Sequence, residues 1–422
     1  MSDSAMSAGQ ISYQRPVQRA PVKIFNILGR ALRRVGVPVV DLSAQSLCAA
    51  AMRRTGLADF GDESFREPLE VLLRSLETEA RLNTFGRIHA RGYITNALSN
   101  RLMLEHWWTR HPEILTGTIR EPLYILGLPR TGTSLLLKLL ASDPARRWLA
   151  FWEAHEPCPP PSRDTYAKDP RRRRAARRVR TLDYLAPDFR GIHEFESDGP
   201  EECYPLLANT LIGAQYSWMF VIPGYDAWLS GCDMKPPYAY YRRQLLLLQW
   251  RWPAERWVLK SPVHLFALDA LLANFPDARI VHLHRDPAKV VASLCSLVAT
   301  TRAVATDTID NAALGAQVVD GLVEGLDRCM RAREAAEPAH VCDVQYVDLL
   351  RDPMATVRHI YARFGLALSA EAEVAMKRCL AESPQHKHGV HRYSLAQWGL
   401  SAEGVRRQFA RYREAFAIGD EA

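Results

Sequence analysis

The sequence predicts an α/β protein, in which a parallel sheet is flanked by helices and preceded by a helical N-terminal region. Two observations lead to this prediction. From about residue 120 onward, short continuous apolar runs alternate with longer helical patterns, which is typical of parallel strands joined by crossover helices. Residues 64–111 instead place apolar side chains three and four positions apart, and no strand pattern interrupts them.

The chain divides into three predicted regions. We expect residues 1–20 to be flexible, residues 21–118 to form a helical cap, and residues 119–422 to form the α/β domain. Inside that domain, residues from about 145 to 250 are irregular and rich in Pro, Trp and Tyr. We interpret this segment as an insertion that builds a pocket.

Four buried strands are predicted in the α/β domain. They lie at residues 123–126, 257–259, 279–284 and 341–347, and a helical pattern follows each of them. The runs at residues 123–126 and 257–259 are continuously apolar rather than alternating, which indicates strands covered by helices on both faces.

The composition is that of an ordinary globular protein. The chain has 422 residues, of which 48% are hydrophobic and 24% are charged, which excludes wholesale disorder and collagen-like or coiled-coil structures. The net charge of +7 has a local origin, because seven of the ten residues from Arg171 to Arg180 are arginine. A charge run of this kind usually faces water.

The cysteines and the N-terminus predict a cytoplasmic location. The eight cysteines are scattered, without a C-x-x-C motif or a zinc-like pairing, which is typical of reduced thiols. The N-terminus lacks the apolar stretch of a signal peptide, and no run of about 18 apolar residues is present.

A glycine-rich loop follows the first strand. The stretch GLPRTGTS runs from Gly127 to Ser134, and its G-x-x-x-x-G spacing lets backbone N–H groups surround a phosphate at a helix N-terminus. Thr133 stands where a Walker A loop has its lysine, and the positive side chain is instead Arg130. The loop is therefore predicted to bind an anion in another way than an ordinary NTPase. The alternative is a simple strand–turn–helix connection.

Two further strand ends carry cations. Arg285 follows the third strand, and Ser293 lies two helical turns later, so both face the same edge of the sheet. Together they are suited to hold a second phosphate, although an Arg–Asp pair that caps the helix is the alternative. Lys260 ends the second strand, where ligands bind in open α/β sheets.

Taken together, the segments GLPRTGTSLL, LKSP and HRDPxxVVxS resemble sulfotransferases that use 3′-phosphoadenosine 5′-phosphosulfate (PAPS). The likeness is to the bacterial branch with a P-R-[ST]-G-T loop, related to tyrosylprotein sulfotransferases, and spans roughly residues 60–415. It implies a P-loop-type fold and transfer of a sulfuryl group from PAPS to a hydroxyl or amine. Adenosine 3′,5′-bisphosphate is then the second product, and no metal is expected.

The resemblance also implies roles for individual residues. Arg130 and Lys260 would stabilise the charge on the leaving phosphate. Arg285 and Ser293 would bind the 3′-phosphate of the donor. The complete expected donor site is Arg130, Thr131, Gly132, Thr133, Ser134, Arg285, Ser293, Tyr346 and Arg392.

The acceptor hydroxyl needs a general base. In the tyrosylprotein branch this is a Glu about two dozen residues after the loop Arg, and here Glu153 lies twenty-three residues after Arg130. Glu153 is therefore the expected base. His155, His193 and His264 are the alternatives.

Several alternatives stay open at this point. A P-loop nucleotide kinase or NTPase is the rival activity, and the H-x-H-x-x-H pattern in HKHGVHRYS is a rival metal site. The run from Arg171 to Arg180 is an alternative contact for nucleic acid, a membrane surface or an anionic acceptor. We expect a small-molecule, lipid or glycan acceptor, peripheral membrane contact through this run at most, and no nucleic acid. The sequence predicts no oligomeric state.

Overall fold

The computed structural model describes residues 20–36, 39–185, 195–252, 256–382 and 394–421. Its centre is a five-stranded sheet in the order β2-β3-β1-β4-β5, in which every neighbouring pair is parallel. The strands are β1 Leu123–Gly127, β2 Arg146–Trp148, β3 Arg256–Lys260, β4 Arg279–His284 and β5 Val341–Gln345. The predicted parallel α/β fold is confirmed.

Helices cover the sheet and form the cap. The first ten are α1 Ala20–Arg34, α2 Ala44–Thr55, α3 Arg66–Thr78, α4 Thr84–Arg110, α5 Thr133–Ala141, α6 Phe151–His155, α7 Pro170–Leu185, α8 Tyr204–Ala208, α9 Gln215–Met219 and α10 Pro223–Ser230. The others are α11 Lys235–Gln249, α12 Leu268–Asn274, α13 Pro287–Ala305, α14 Asn311–Glu334, α15 Tyr346–Arg351, α16 Pro353–Arg363, α17 Ala370–Glu382, α18 Ala402–Gln408 and α19 Ala410–Ala415.

The central strand determines where a ligand binds. All five residues of β1 are buried, and β1 pairs with β3 on one side and β4 on the other. Because β1 lies between β3 and β4 and all three run in the same direction, their carboxyl ends meet at one edge of the sheet, where a crevice opens. The glycine-rich loop, Lys260 and Arg285 all lie at this edge.

The structure corrects three details of the predicted elements. Strand β5 ends at Gln345, because Tyr346 already begins a helix. Strand β2 was missed, since its three residues include two arginines and form no apolar run. The helical stretch 64–111 is interrupted before α4, where the side chain of Asn83 accepts a hydrogen bond from Gly86 N at 2.7 Å.

The cap and the insertion share one hydrophobic core. Apolar side chains of α2, α3 and α4 pack with those of residues 208–225 and with Ala305. The contact between α4 and α13 is close, since Asn83 N donates to Ala305 O at 2.9 Å. A Cβ atom on Gly86 would lie 2.1 Å from the same carbonyl oxygen, so this position requires glycine. The predicted flexible segment lies outside the described residues, except for Ala20.

Among the described residues, one helix is long and apolar enough to cross a membrane by length and composition. This is α13, which has 19 residues. Within its apolar 18-residue window, 78% of the residues are buried inside the protein. Since α13 also packs against α4, it is a core helix of this fold.

Candidate active site

A cavity of about 1650 Å³ opens at the carboxyl edge of β1, β3 and β4. Its walls come from the glycine-rich loop, the ends of these strands, and helices of both the cap and the insertion. Single-ligand pockets usually hold about 300–1,000 Å³. The cavity therefore has room for two ligands side by side.

The backbone of the glycine-rich loop takes two left-handed turns. Arg130 has φ 71° and Gly132 has φ 84°. Glycine is favoured at position 132 because of its positive φ and because a Cβ atom there would lie 3.1 Å from the ring of Tyr346. Arg130, Gly132, Thr133 and Ser134 line the cavity. The Thr131 side chain does not line the cavity. Its hydroxyl donates to Leu128 O at 2.7 Å, within the loop, and so stabilises the turn.

Lys260 is the centre of a first polar cluster in the cavity. Its ammonium group donates to Ser134 Oγ at 3.3 Å and forms an ion pair with Glu202. Ser261 Oγ donates to the other oxygen of Glu202 at 3.3 Å. The Lys260 side chain is only 3% exposed and that of Glu202 is 11% exposed, so this pair lies in a largely water-free part of the cavity.

A second cluster forms around Arg285. Its guanidinium donates to Arg130 O at 2.6 Å and lies over the ring of Tyr346, 3.9 Å from the centroid. Arg130 Nε in turn donates to Ser293 Oγ at 3.1 Å. The structure thus brings Arg285 and Ser293 together, as the sequence predicted. It also places the Arg130 guanidinium in this second cluster, whereas the sequence grouped Arg130 with Lys260.

An acidic residue near the C-terminus, which sequence reasoning did not single out, occupies the fork of Arg285. Arg285 Nε donates to the two carboxylate oxygens of Glu421 at 3.0 and 3.2 Å. Glu421 N donates to Asp286 Oδ2 at 3.1 Å, and Arg406 also pairs with Asp286. The fork of Arg285 is therefore already shaped to hold an oxyanion.

Glu153, the expected base, is not brought into the cavity. The residue is fully buried, and one carboxylate oxygen accepts a hydrogen bond from the Arg147 guanidinium at 2.7 Å. The other oxygen accepts from Ala150 N at 3.0 Å and so caps α6. Since both oxygens are engaged away from the cavity, the structure corrects this expectation and gives Glu153 a structural position.

The alternative histidines are poorly suited to serve as bases. His155 lines the cavity, but burial lowers its pKa to about 3, and its Nδ1 contacts Phe151 O at 2.9 Å. His264 lies outside the cavity wall, hydrogen-bonded to the Tyr238 hydroxyl at 2.7 Å, and burial lowers its pKa to about 3 as well. His193 and Arg392 lie outside the described residues, as does the H-x-H-x-x-H pattern.

Glu202 is the carboxylate that sequence reasoning missed. It lines the cavity beside Lys260, whereas its neighbour Glu201 is buried behind it. Burial raises the pKa of Glu201 to about 8, and Glu201 Oε1 accepts a hydrogen bond from Glu202 N at 2.8 Å. The only signal in the sequence is the pair of adjacent acids in DGPEECYP.

Within the described residues, one group has the spacing of metal ligands. His282, His284 and Asp343 place ligand atoms within 4.8 Å of one another. However, the guanidinium of Arg333 donates to both Asp343 oxygens, at 2.6 and 2.8 Å, and contacts His282 Nδ1 at 2.9 Å. Burial raises the pKa of Asp343, but hydrogen bonds from Arg333 and His284 outweigh this effect and lower it. A cation thus already occupies this group, which we interpret as structural.

Comparison with known proteins identifies the family. The model of the sulfotransferase family matches residues 122–370, which is more than half of the chain. This chain belongs to the sulfotransferase family. The matched residues include the loop, Lys260, Arg285 and Tyr346.

Two solved structures are similar to this sulfotransferase over most of its length. Sulfotransferase STF1 from Mycobacterium tuberculosis H37Rv is 38% identical, with a TM-score of 0.79, and the match covers 87% of this chain and 98% of that one. Sulfotransferase STF9 from Mycobacterium avium is 32% identical, with a TM-score of 0.83, and the match covers 90% of this chain and 98% of that one. The predicted enzyme class is confirmed.

A curated relative matches over a shorter region. The omega-hydroxy-beta-dihydromenaquinone-9 sulfotransferase Stf3 of Mycobacterium bovis is 27% identical over 149 residues. That match covers 35% of this sulfotransferase and 38% of the length of Stf3. The specific relation to tyrosylprotein sulfotransferases stays a prediction.

Proposed function

We propose that this sulfotransferase transfers the sulfuryl group of PAPS to a hydroxyl of an amphiphilic acceptor, with Glu202 as the general base. The observation that carries the proposal is the Lys260–Glu202 pair in the cavity, next to Ser134 of the anion-binding loop. It places a cation for a leaving phosphate and a carboxylate for an incoming hydroxyl side by side.

The described residues fit the donor. The loop backbone from Arg130 to Ser134 and the Lys260 ammonium would hold the 5′-phosphosulfate at the N-terminus of α5. Arg285, Ser293 and Arg130 would hold the 3′-phosphate, and the Glu421 carboxylate on the Arg285 fork supports this because it is an oxyanion in that position. Of the other expected donor residues, Tyr346 lies against the Arg285 guanidinium, the Thr131 hydroxyl donates to Leu128 O within the loop, and Arg392 lies outside the described residues.

The chemistry of the step defines the two roles of the central pair. When bound, PAPS supplies an SO₃ group on a phosphate leaving group; the acceptor oxygen forms the new O–S bond as the bond from sulfur to phosphate oxygen breaks. The carboxylate of Glu202 takes the proton of the acceptor hydroxyl. The ammonium group of Lys260 stabilises the charge that develops on the leaving phosphate oxygen. Because the pair is largely shielded from water, these charges act more strongly than they would in solvent.

The acceptor side of the cavity is mostly apolar. Its walls are formed by aromatic and aliphatic side chains of α4, α6, α9 and α13, such as Phe85, Phe151, Trp218, Leu297 and Val298. The name of Stf3 describes that relative as a sulfotransferase of omega-hydroxy-beta-dihydromenaquinone-9. Both points favour a hydroxylated lipid or a similarly apolar small molecule, rather than a glycan.

The rival activity as a nucleotide kinase is not favoured. Thr133 occupies the position of the Walker lysine, and it lines the cavity at the start of α5. We also propose a cytoplasmic location, which the eight free cysteines support.

The test compares donors and acceptors directly. Protein is incubated with ³⁵S-labelled PAPS and a panel of hydroxylated lipids, phenols, sterols and glycans, and labelled product is separated by chromatography. We expect transfer to apolar alcohols. Calorimetry should show tight binding of adenosine 3′,5′-bisphosphate and much weaker binding of ATP with Mg²⁺. Preference for ATP, or transfer to no alcohol in the panel, would contradict the proposal.

A further inference from the structure

The arginine run forms helix α7, and its members have different surroundings. Arg171 is buried, pairs with Asp169 at 2.7 Å and lies over the ring of Trp152. Arg174 pairs with Glu156 at 2.7 Å. The run is therefore not a uniform solvated patch, because part of it holds α7 against α6 and the residue that follows α6.

Arg178 lies one helical turn further along the same face of α7 and lines the cavity, together with Val179, Thr181 and Leu182. Among the residues that the structure describes, no carboxylate forms an ion pair with Arg178. Glu202, a carboxylate that lines the cavity, already pairs with Lys260. The exposed side chain of Arg178 thus lines the cavity without a carboxylate counter-ion among the described residues.

The surroundings of Arg178 do not neutralise it. Burial, with a smaller contribution from the charge of Arg178, lowers the pKa of His89 to about 4 and that of His155 to about 3. Both imidazoles are therefore neutral at pH 7. Burial raises the pKa of Glu201 to about 8, so this nearby carboxyl group is largely protonated at pH 7.

Polar atoms without partners line the same cavity. Within the described structure, the buried atoms His89 Nδ1, Tyr93 Oη and both side-chain amide atoms of Gln215 have no hydrogen-bond partner. All three residues line the cavity. Buried polar groups are normally satisfied, and groups without partners in an otherwise apolar wall indicate a ligand that carries polar atoms there.

We propose that the acceptor of this sulfotransferase is an anionic amphiphile, whose carboxylate or phosphate is bound by Arg178 while its hydroxyl lies at the Lys260–Glu202 pair. This inference rests on the proposed function and names the acceptor class. The apolar walls between the two polar ends would hold the body of the molecule. Arg178 is then a specificity-determining residue that takes no part in the sulfuryl transfer itself.

The test is a binding measurement with two probes that share one alkyl chain and hydroxyl but carry either a carboxylate or a neutral methyl ester. Protein saturated with adenosine 3′,5′-bisphosphate is titrated by calorimetry with 12-hydroxydodecanoic acid and with its methyl ester. The wild type should bind the acid about tenfold more tightly than the ester, as expected for a charge-assisted contact. Arg178→Gln should bind both probes equally. Arg173→Gln, an exposed position on the same helix that does not line the cavity, should keep the preference.

The outcomes separate this inference from the proposed function. A wild type that binds neither probe or shows no preference, or an Arg178→Gln variant that keeps the preference, overturns the role of Arg178. Sulfation of neutral alcohols together with no acid preference would refute the inference alone. An acid preference that depends on Arg178, without any transfer from labelled PAPS, would instead refute the donor assignment.

Discussion

Replacing Glu202 with Gln tests the central assignment of the site. The change keeps the shape of the side chain and removes the basic carboxylate, so kcat should fall by about 10²–10⁴, the usual contribution of a general base. This corresponds to about 3–5 kcal/mol in the activation barrier. Donor affinity should not fall. Lys260 is 3% exposed and loses its counter-ion in the variant, so a phosphate should bind beside it at least as tightly as in the wild type.

The assay measures single-turnover sulfation from labelled PAPS and, separately, the affinity for adenosine 3′,5′-bisphosphate. Glu153→Gln is the matched control, because Glu153 holds Arg147 outside the cavity. Breaking that buried pair should lower the free energy of unfolding by about 3–5 kcal/mol and leave the rate per folded molecule largely intact. A Glu202→Gln variant with a nearly full single-turnover rate would refute the reasoning. A Glu153→Gln variant that is stable but inactive would show instead that Glu153 is the general base.

Three further predictions concern the donor, pH and the cap. Arg285→Ala should weaken the binding of adenosine 3′,5′-bisphosphate by about 1.5–3 kcal/mol and leave the binding of AMP almost unchanged. Glu421→Gln should strengthen the binding of the bisphosphate, because Glu421 occupies Arg285 in the free protein. Calorimetry that finds no preference of the wild type for the bisphosphate over AMP contradicts this prediction. The pKa of Glu201 rises from 4.5 to about 8 on folding, so folded protein keeps a proton that unfolded protein loses, and stability falls as pH rises through this window. Urea unfolding between pH 5 and pH 8 should show the free energy of unfolding falling by at most about 1.4 kcal/mol per pH unit, and falling less steeply in Glu201→Gln. Equal slopes in the wild type and the variant would argue against this role of Glu201. Gly86→Ala should lower the melting temperature, because the added methyl group should reduce the free energy of unfolding by about 1–3 kcal/mol. Gly92→Ala, on the same helix, is the control: its added Cβ would have no atom within 4 Å, so the melting temperature should not fall.

Much of the residue arrangement at the cavity edge could be predicted from the sequence, because these residues lie at the ends of regular elements. A loop between a buried strand and its helix has few conformations, and the carboxyl ends of parallel strands meet at one edge. The positions of Ser134, Lys260, Arg285 and Ser293 in the cavity follow from this local order. The same argument correctly predicted the parallel sheet, although the short polar strand β2 left no apolar signal.

Only the tertiary structure decided which carboxylate and which arginine line the cavity. Glu153 and Glu202 both lie in the irregular insertion, where neither helical nor strand periodicity relates side-chain direction to position. Ion pairing distinguishes them: Arg147 holds Glu153 in the protein interior, and Lys260 holds Glu202 in the cavity. Likewise, seven arginines in ten residues look alike in sequence, but the packing of α7 against α6 places Arg178 at the cavity wall. These choices depend on contacts between residues far apart in the chain, which residue spacing along the sequence does not determine.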